Sequence, residues 1–264
     1  MVANIDRRKV QGAFHRQAAD YDSKAVVQAR VVERMTAILR KEVQAPKKIL
    51  DIGAGTGNLL AELRRLYPEA TAIGADLALG MCRAAAQKLE GSVQLVNADA
   101  ERLPFADGVF DVVVSTSTYQ WLPSLDNAFA DVRRVLKPGG LFCFALFGER
   151  TLYELRESYR KVLNGAPDRT HSFHPGAEVL AALQRTGFSG AGVTSAMEVE
   201  MHPDVPELLR SLKRIGAGNA APGGSQGLSQ RRVMLEMMET YQREYGQDGQ
   251  IPASYEVLYG LGRG

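Results

Sequence analysis

One stretch, KKILDIGAGTGNLL at residues 47–60, constrains this chain more than any other: an apolar run ends on an acid, and three glycines follow at alternate positions. A run of that length reads as a strand. Glycines directly after it read as a tight turn where the backbone can approach a ligand. The same succession of apolar run, glycine or acid, and amphipathic helix recurs through ATAIGAD, VQLVNAD, FDVVVSTS and GGLFCFALF, between Pro46 and about Gly148. Near-continuous apolar strands alternating with helices require a parallel sheet covered on both faces, so the expected fold is an α/β, doubly wound, Rossmann-like core.

The turn itself separates the nucleotide-binding possibilities. A dinucleotide fingerprint needs a third glycine where Asn58 stands, and a phosphate-binding P-loop needs a Lys followed by Ser or Thr, which the loop lacks. Asp51, just ahead of Gly53, Gly55 and Gly57, would repel a pyrophosphate but welcome a cation. S-adenosyl-L-methionine carries an ammonium and a sulfonium, with a carboxylate for the amides of a helix N-terminus. Asp76 ends the second apolar run, where an acid accepts ribose hydroxyls, and Asp99 ends the third, in reach of an adenine amino group. Each alone is also a good helix N-cap. Together they stand at successive strand ends, on the edge where open α/β sheets bind ligands.

In the order ILDIGAGTG, IGAD, NADAERLPFADGVFDVVVS and RRVLKPGGLF, residues 46 to 147 resemble the class I S-adenosylmethionine-dependent methyltransferases. The resemblance implies a seven-stranded sheet whose last strand, SYEVLYG, is antiparallel. It also implies a cofactor site formed by Asp51, Gly53, Ala54, Gly55, Gly57, Asp76, Leu77, Asp99, Ala100 and Ser115, with no metal. Outside the core, AFHRQAADYD, STSTYQWLPSL, FALFGERTLYELRESY, LLRSLKRIGAGN and YEVLYGLGRG look like the malonyl-[acyl-carrier protein] O-methyltransferases of biotin synthesis, the BioC type. Such enzymes mask the free malonyl carboxylate as a methyl ester, on malonyl-acyl-carrier protein or malonyl-CoA. The chain departs from that family in having Ala54 where Cys is frequent, and its LKRIGAGNAAPGG segment matches only loosely.

The flanks organise around this core. Residues 1–45 read as an N-terminal helical lid segment, 46–202 with 251–264 as the methyltransferase domain, and 203–250 as a helical insert that covers substrate. Thr151 and Glu154 have capping-box spacing ahead of a helix with Leu152, Leu155, Tyr159 and Val162 on one face. An ionised malonyl carboxylate needs no general base, so the expected catalytic residues are positioning groups: Tyr21, Gln120, Trp121 and Arg150, with Tyr119 beside them and His171 as a further carboxylate ligand. Packing is the plainer reading for Tyr119 and Trp121, and solvent for Arg150 and His171. Arg210, Lys213, Arg214, Arg231 and Arg232 are candidates to greet an acidic carrier protein, or are simply a solvated charged face.

Composition sets the outer limits. A net charge of +2 does not point to nucleic acid, and the longest apolar stretch, GGLFCFALFG, is too short for a membrane span. The charged start lacks a signal peptide's apolar core, so a cytoplasmic protein is expected. Cys82 and Cys143 lie in apolar segments without metal spacing and read as buried thiols. Other readings stay open at this level: a trans-aconitate-type carboxyl methyltransferase, a quinone methyltransferase, a nicotinamide-dependent dehydrogenase, or a non-catalytic S-adenosylmethionine-binding assembly factor.

Overall fold

The computed structural model describes residues 6–18, 21–163, 172–215 and 228–264. Its centre is a seven-stranded sheet in the order β3-β2-β1-β4-β5-β7-β6. β1 (Lys48–Ile52) pairs in parallel with β2 (Thr71–Asp76) and β4 (Phe110–Thr116). β3 (Gln94–Asn97) extends one side and β5 (Leu136–Phe147) the other, also parallel. β7 (Ile251–Arg263) inserts between β5 and β6 (Ser189–His202), antiparallel to both. SYEVLYG is thus the antiparallel strand expected from the sequence.

The apolar runs are continuous because both faces of the central strands are buried. Ile49, Val112, Val114, Cys143 and Ala145 point into one core with α2 (Val26–Glu42) and α3 (Asn58–Leu66). Their neighbours Leu50, Ile52, Val113, Phe142 and Phe144 point into a second with α5 (Asp126–Val135) and α7 (Gly176–Arg185). Alternation by one residue is what a period-two strand imposes, and removing two full faces of apolar surface from water supplies the main stabilisation. Cys82 and Cys143 are both buried free thiols.

α1 (Arg7–Gln17) and α4 (Leu79–Lys88) pack on one another beside the C-terminal ends of β2 and β3. Before β7, the chain forms α8 (Val205–Arg214), capped by the Asp204 carboxylate on the Glu207 amide, and α9 (Leu228–Tyr245). α9 packs against α6 (Tyr153–Leu163) and α8.

The Thr151 and Glu154 spacing does not build a capping box. The Thr151 hydroxyl donates to the Glu256 carbonyl at 3.1 Å, and Glu154 accepts from the Ser254 hydroxyl and, at 3.3 Å, the Ser254 amide. Both side chains tie the start of α6 to β7 instead, because two buried strand positions offer polar partners that water does not. Leu152, at φ 52°, marks the bend this demands.

Candidate active site

The strand order reverses between β1 and β4, and the ends of these two strands frame a cleft enclosing about 790 Å³. That is the crevice at which open α/β sheets bind ligands. Its floor is Ile52, Gly53 and Gly55 after β1, with Thr116, Ser117 and Thr118 after β4. Gly53 must be glycine: its φ is +72°, and a Cβ there would lie 1.8 Å from the Thr118 hydroxyl. Gly57, at φ +85°, opens α3 and packs on Leu89 and Ala85 of α4, so it shapes the turn rather than lining the cleft.

Asp76 organises the rim. Its carboxylate accepts from the Gly55 amide at 2.9 Å and the Ala78 amide at 2.7 Å, which locks the glycine turn to the end of β2. Leu77 and Ala100 line the same wall, and Ala54 lines an adjoining recess. Burial raises the Asp76 carboxyl above its ordinary range, against the pull of the two amides.

Asp51 lies behind the turn, 1% exposed, and both of its carboxylate oxygens lack a hydrogen-bond partner. Burial, reinforced by the nearby charge of Asp76, pushes its carboxyl up to about 8. An orphaned buried acid beside a second acid is costly unless a cation completes it.

α1 roofs the cleft with Arg7, Val10, Gln11 and Phe14. Three polar contacts hold it down: the Gln11 amide donates to the Leu77 carbonyl at 2.8 Å, and the Gly80 amide to His15 Nδ1 at 3.0 Å. In the third, Arg7 bridges Asp99 and Glu101, each at 2.5 Å. Asp99 therefore faces α1 as well as the third strand end. After α1, Asp22 accepts from Thr56 at 2.5 Å and Asn58 at 2.9 Å, stitching the N-terminal segment to the glycine turn.

A second cavity of about 440 Å³ adjoins the first. Phe14, Tyr21, Ser117 and Trp121 line both, so the two meet at these four side chains. Phe147, Phe173, Leu152, Leu212 and Ile215 make its far walls apolar, and Gln28, Gln120, Thr151 and Tyr255 add neutral polar groups.

Of the expected positioning residues, the structure brings Tyr21 and Trp121 to this junction and Gln120 to the wall of the second cavity, and it leaves Tyr119 and Arg150 elsewhere, as it does Ser115 of the expected cofactor residues. Tyr119 is fully buried in an aromatic cluster with Phe129, Phe142 and Phe144, because residues two apart in a one-turn 3₁₀ helix leave its axis in different directions. Arg150 lines neither cavity: its amide donates to Glu256 Oε2 at 2.9 Å while the side chain is exposed. Ser115 sits behind the cleft, where its hydroxyl donates to the Ile52 carbonyl at 2.7 Å and joins β4 to β1. His171 lies outside the described residues. The sequence does not pick out the side chains by which α1 lines the cleft, Arg7, Val10, Gln11 and Phe14, because nothing in a short amphipathic helix says which surface it covers.

Residues 50–144 match the model of a methyltransferase domain family. Over 265 residues, the chain is 55% identical to a malonyl-[acyl-carrier protein] O-methyltransferase of Geobacter sulfurreducens, covering 98% of this chain and 99% of that one. The chain belongs to the malonyl-[acyl-carrier protein] O-methyltransferase family. A relative of the same name from Methylovorus sp. is 39% identical over 97% of this chain and 88% of its own. The fold of this methyltransferase is shared with geranyl diphosphate C-methyltransferase of Streptomyces coelicolor, solved with S-adenosyl-L-homocysteine. The TM-score is 0.53 at 15% identity, over 89% of this chain and 80% of that one.

The cleft of this methyltransferase fits S-adenosyl-L-methionine on its own chemistry. Asp51 offers a buried, unpartnered carboxyl that an arriving cation would favour in its ionised form, and Asp76 keeps acceptor capacity at the rim, since a carboxylate can receive more than two hydrogen bonds. The glycine turn leaves space for close approach, with only the Gly53 carbonyl, at 4.0 Å, near a Cβ placed on Gly55.

Proposed function

We propose that this chain transfers a methyl group from S-adenosyl-L-methionine to the free carboxylate of a malonyl thioester, carried on acyl-carrier protein, and so opens pimeloyl and biotin synthesis. The observation that carries this reading is the junction of the two cavities: a cofactor-sized cleft lined by Asp76 opens, between Tyr21, Ser117 and Trp121, onto an apolar acceptor pocket. The cofactor supplies an electrophilic methyl on a positive sulfur. Everything else asked of the protein is binding, alignment and exclusion of water.

Asp51, Gly53, Gly55, Asp76, Leu77 and Ala100 hold the cofactor in this reading. Tyr21, Gln120 and Trp121 align the acceptor. No residue has to remove a proton, because a malonyl carboxylate is ionised near neutrality. Its attacking oxygen must instead lose its water, and the walls of Phe147, Phe173, Leu212 and Ile215 do that. Alignment of two bound reactants is worth as much as roughly 7–11 kcal/mol of barrier in favourable systems. The lining of described residues carries no cation. That suits the chemistry, since charge cancels as the methyl moves and a tight arginine clamp would stabilise the reactant more than the transition state.

Leu212 and Ile215, which end α8, form part of the pocket wall, so the 203–250 insert acts as the substrate lid in this reading. Arg210 and Arg214 share Glu207 at 2.8 Å each, and Arg232 pairs with Glu236 at 2.7 Å. Lys213 and Arg231 are exposed without an ion-pair partner among the described residues, which makes them the cations best placed to meet an acidic carrier. Buried free thiols suit a reducing compartment, and the cytoplasm is where the reading sets the reaction.

Incubating the protein with radiolabelled S-adenosyl-L-methionine and, separately, malonyl-carrier protein, malonyl-CoA and trans-aconitate tests this. Label on the malonyl thioesters supports the reading, with carrier protein preferred over coenzyme A. Label on trans-aconitate alone, or on nothing, ends it.

A further inference from the structure

The acceptor pocket contains a polar group, carried on a strand, that the rest of the structure leaves unused. Tyr255, on β7, is 4% exposed and lines the pocket, yet its hydroxyl makes no hydrogen bond among the described residues. Its ring is held on one side by Phe147, with centroids 5.7 Å apart. Its strand position is fixed on one side by β6, where Tyr255 stands opposite Glu198, and on the other by the Leu152 amide, which donates to the neighbouring Ser254 carbonyl at 2.6 Å. A phenol in such surroundings keeps its proton: burial, with the charges of Glu200 and Glu154, raises it above its ordinary range. The group is therefore a rigid neutral donor, free to meet an acceptor that a ligand brings.

The other polar side chains of the pocket are less suited. The Thr151 hydroxyl is committed to the Glu256 backbone at 3.1 Å, and Gln120 Nε2 donates to the Ser117 carbonyl at 2.7 Å. Tyr21 stands at the junction with the cofactor cleft, on the side from which the methyl must come.

We infer that Tyr255 is the acceptor-recognition residue, whose hydroxyl donates a hydrogen bond to the carboxylate oxygen that does not attack. This rests on the methyl-transfer reading above. A phenol orients the carboxylate without neutralising it, so the second oxygen retains the electron density with which it attacks. Donation from a rigid strand also discriminates against thioesters that end in a methyl group, because they leave the buried hydroxyl unpaired.

The test compares wild type with Tyr255→Phe, which preserves the ring and its packing on Phe147. Methyl transfer to malonyl-carrier protein is measured, acetyl-carrier protein is titrated as a competitive inhibitor, and S-adenosyl-L-homocysteine affinity reports the integrity of the fold. The assignment predicts that kcat/KM for the malonyl substrate falls about 10- to 100-fold, the range for one hydrogen bond to a charged group. It predicts no change in inhibition by acetyl-carrier protein or in S-adenosyl-L-homocysteine affinity. Undiminished transfer in Tyr255→Phe, or equal losses for both thioesters, overturns the role of Tyr255 while leaving methyl transfer standing. A wild-type protein that methylates no malonyl thioester removes both.

Discussion

Arg7 and Asp99 are 92 positions apart in the chain, and their side chains meet at 2.5 Å across the mouth of the cofactor cleft. The pair, extended to Glu101, makes the first helix a roof over the ends of β2 and β3. Its members are about one-third exposed, at 30% and 34%, so the ion pair is partly screened and modest in strength.

Arg7→Ala should therefore loosen the roof without unfolding the chain. The expected result is dissociation of S-adenosyl-L-homocysteine faster by about 3- to 10-fold, with little change in Tm. Stopped-flow displacement measures the first and differential scanning calorimetry the second. Dissociation at the wild-type rate contradicts the roof.

Asp51 links pH to both stability and binding. Its folded carboxyl stands at about 8 against an ordinary 3.8, so the cofactor-free fold retains a proton that the unfolded chain gives up. The raised value means that this stability is full below pH 3.8 and declines as pH rises, levelling off past about pH 8. Asp51→Asn should remove that decline and raise the Tm of the cofactor-free protein at pH 8 by roughly 2–8 °C, while weakening S-adenosyl-L-homocysteine. In wild type, affinity should strengthen by up to about tenfold per pH unit between pH 6 and 7, as the acid ionises to meet the cation. Thermal melts across pH, paired with calorimetric titrations in both proteins, check each arm.

Gly53→Ala tests the turn itself. The added Cβ has nowhere to go beside Thr118, and its φ of +72° is unfavourable to any L side chain. The expected cost is on the order of 2–4 kcal/mol, or displacement of the turn with complete loss of cofactor binding. Denaturant melts and a cofactor titration separate these two forms of damage. Wild-type stability with wild-type affinity contradicts the geometry.

Charge reversal at Lys213 and Arg231 tests carrier docking. The double variant Lys213→Glu, Arg231→Glu should raise KM for malonyl-carrier protein several-fold and flatten its salt dependence. KM for malonyl-CoA should stay as it was, because the pocket is untouched. Equal effects on both substrates place the damage in the pocket instead.

The sheet was readable because its central strands are buried on both faces: Leu50 and Ile52 go to one core and Ile49 to the other, which leaves an unbroken apolar run. The turn was readable because Gly53, Gly55 and Gly57 all have positive φ, which a sequence advertises directly. What could not be read is which side chains meet across the fold. Tyr119 and Trp121 look equivalent two positions apart, yet one is core and the other joins two cavities. Thr151 and Glu154 carry a local capping signal that distant Ser254 and Glu256 override. Tyr255 was hidden because β7 is buried along nearly its whole length, which leaves no alternation to single out the residue facing the pocket.

Mass spectrometry of the phosphopantetheine arm, released from malonyl-carrier protein after reaction with S-adenosyl-L-methionine, is the most direct test of the account. The expected result is a mass gain of one methylene on the malonyl group, which fragmentation places on the terminal carboxyl oxygen. An unmodified malonyl arm, or a methyl that fragmentation places on carbon, contradicts it.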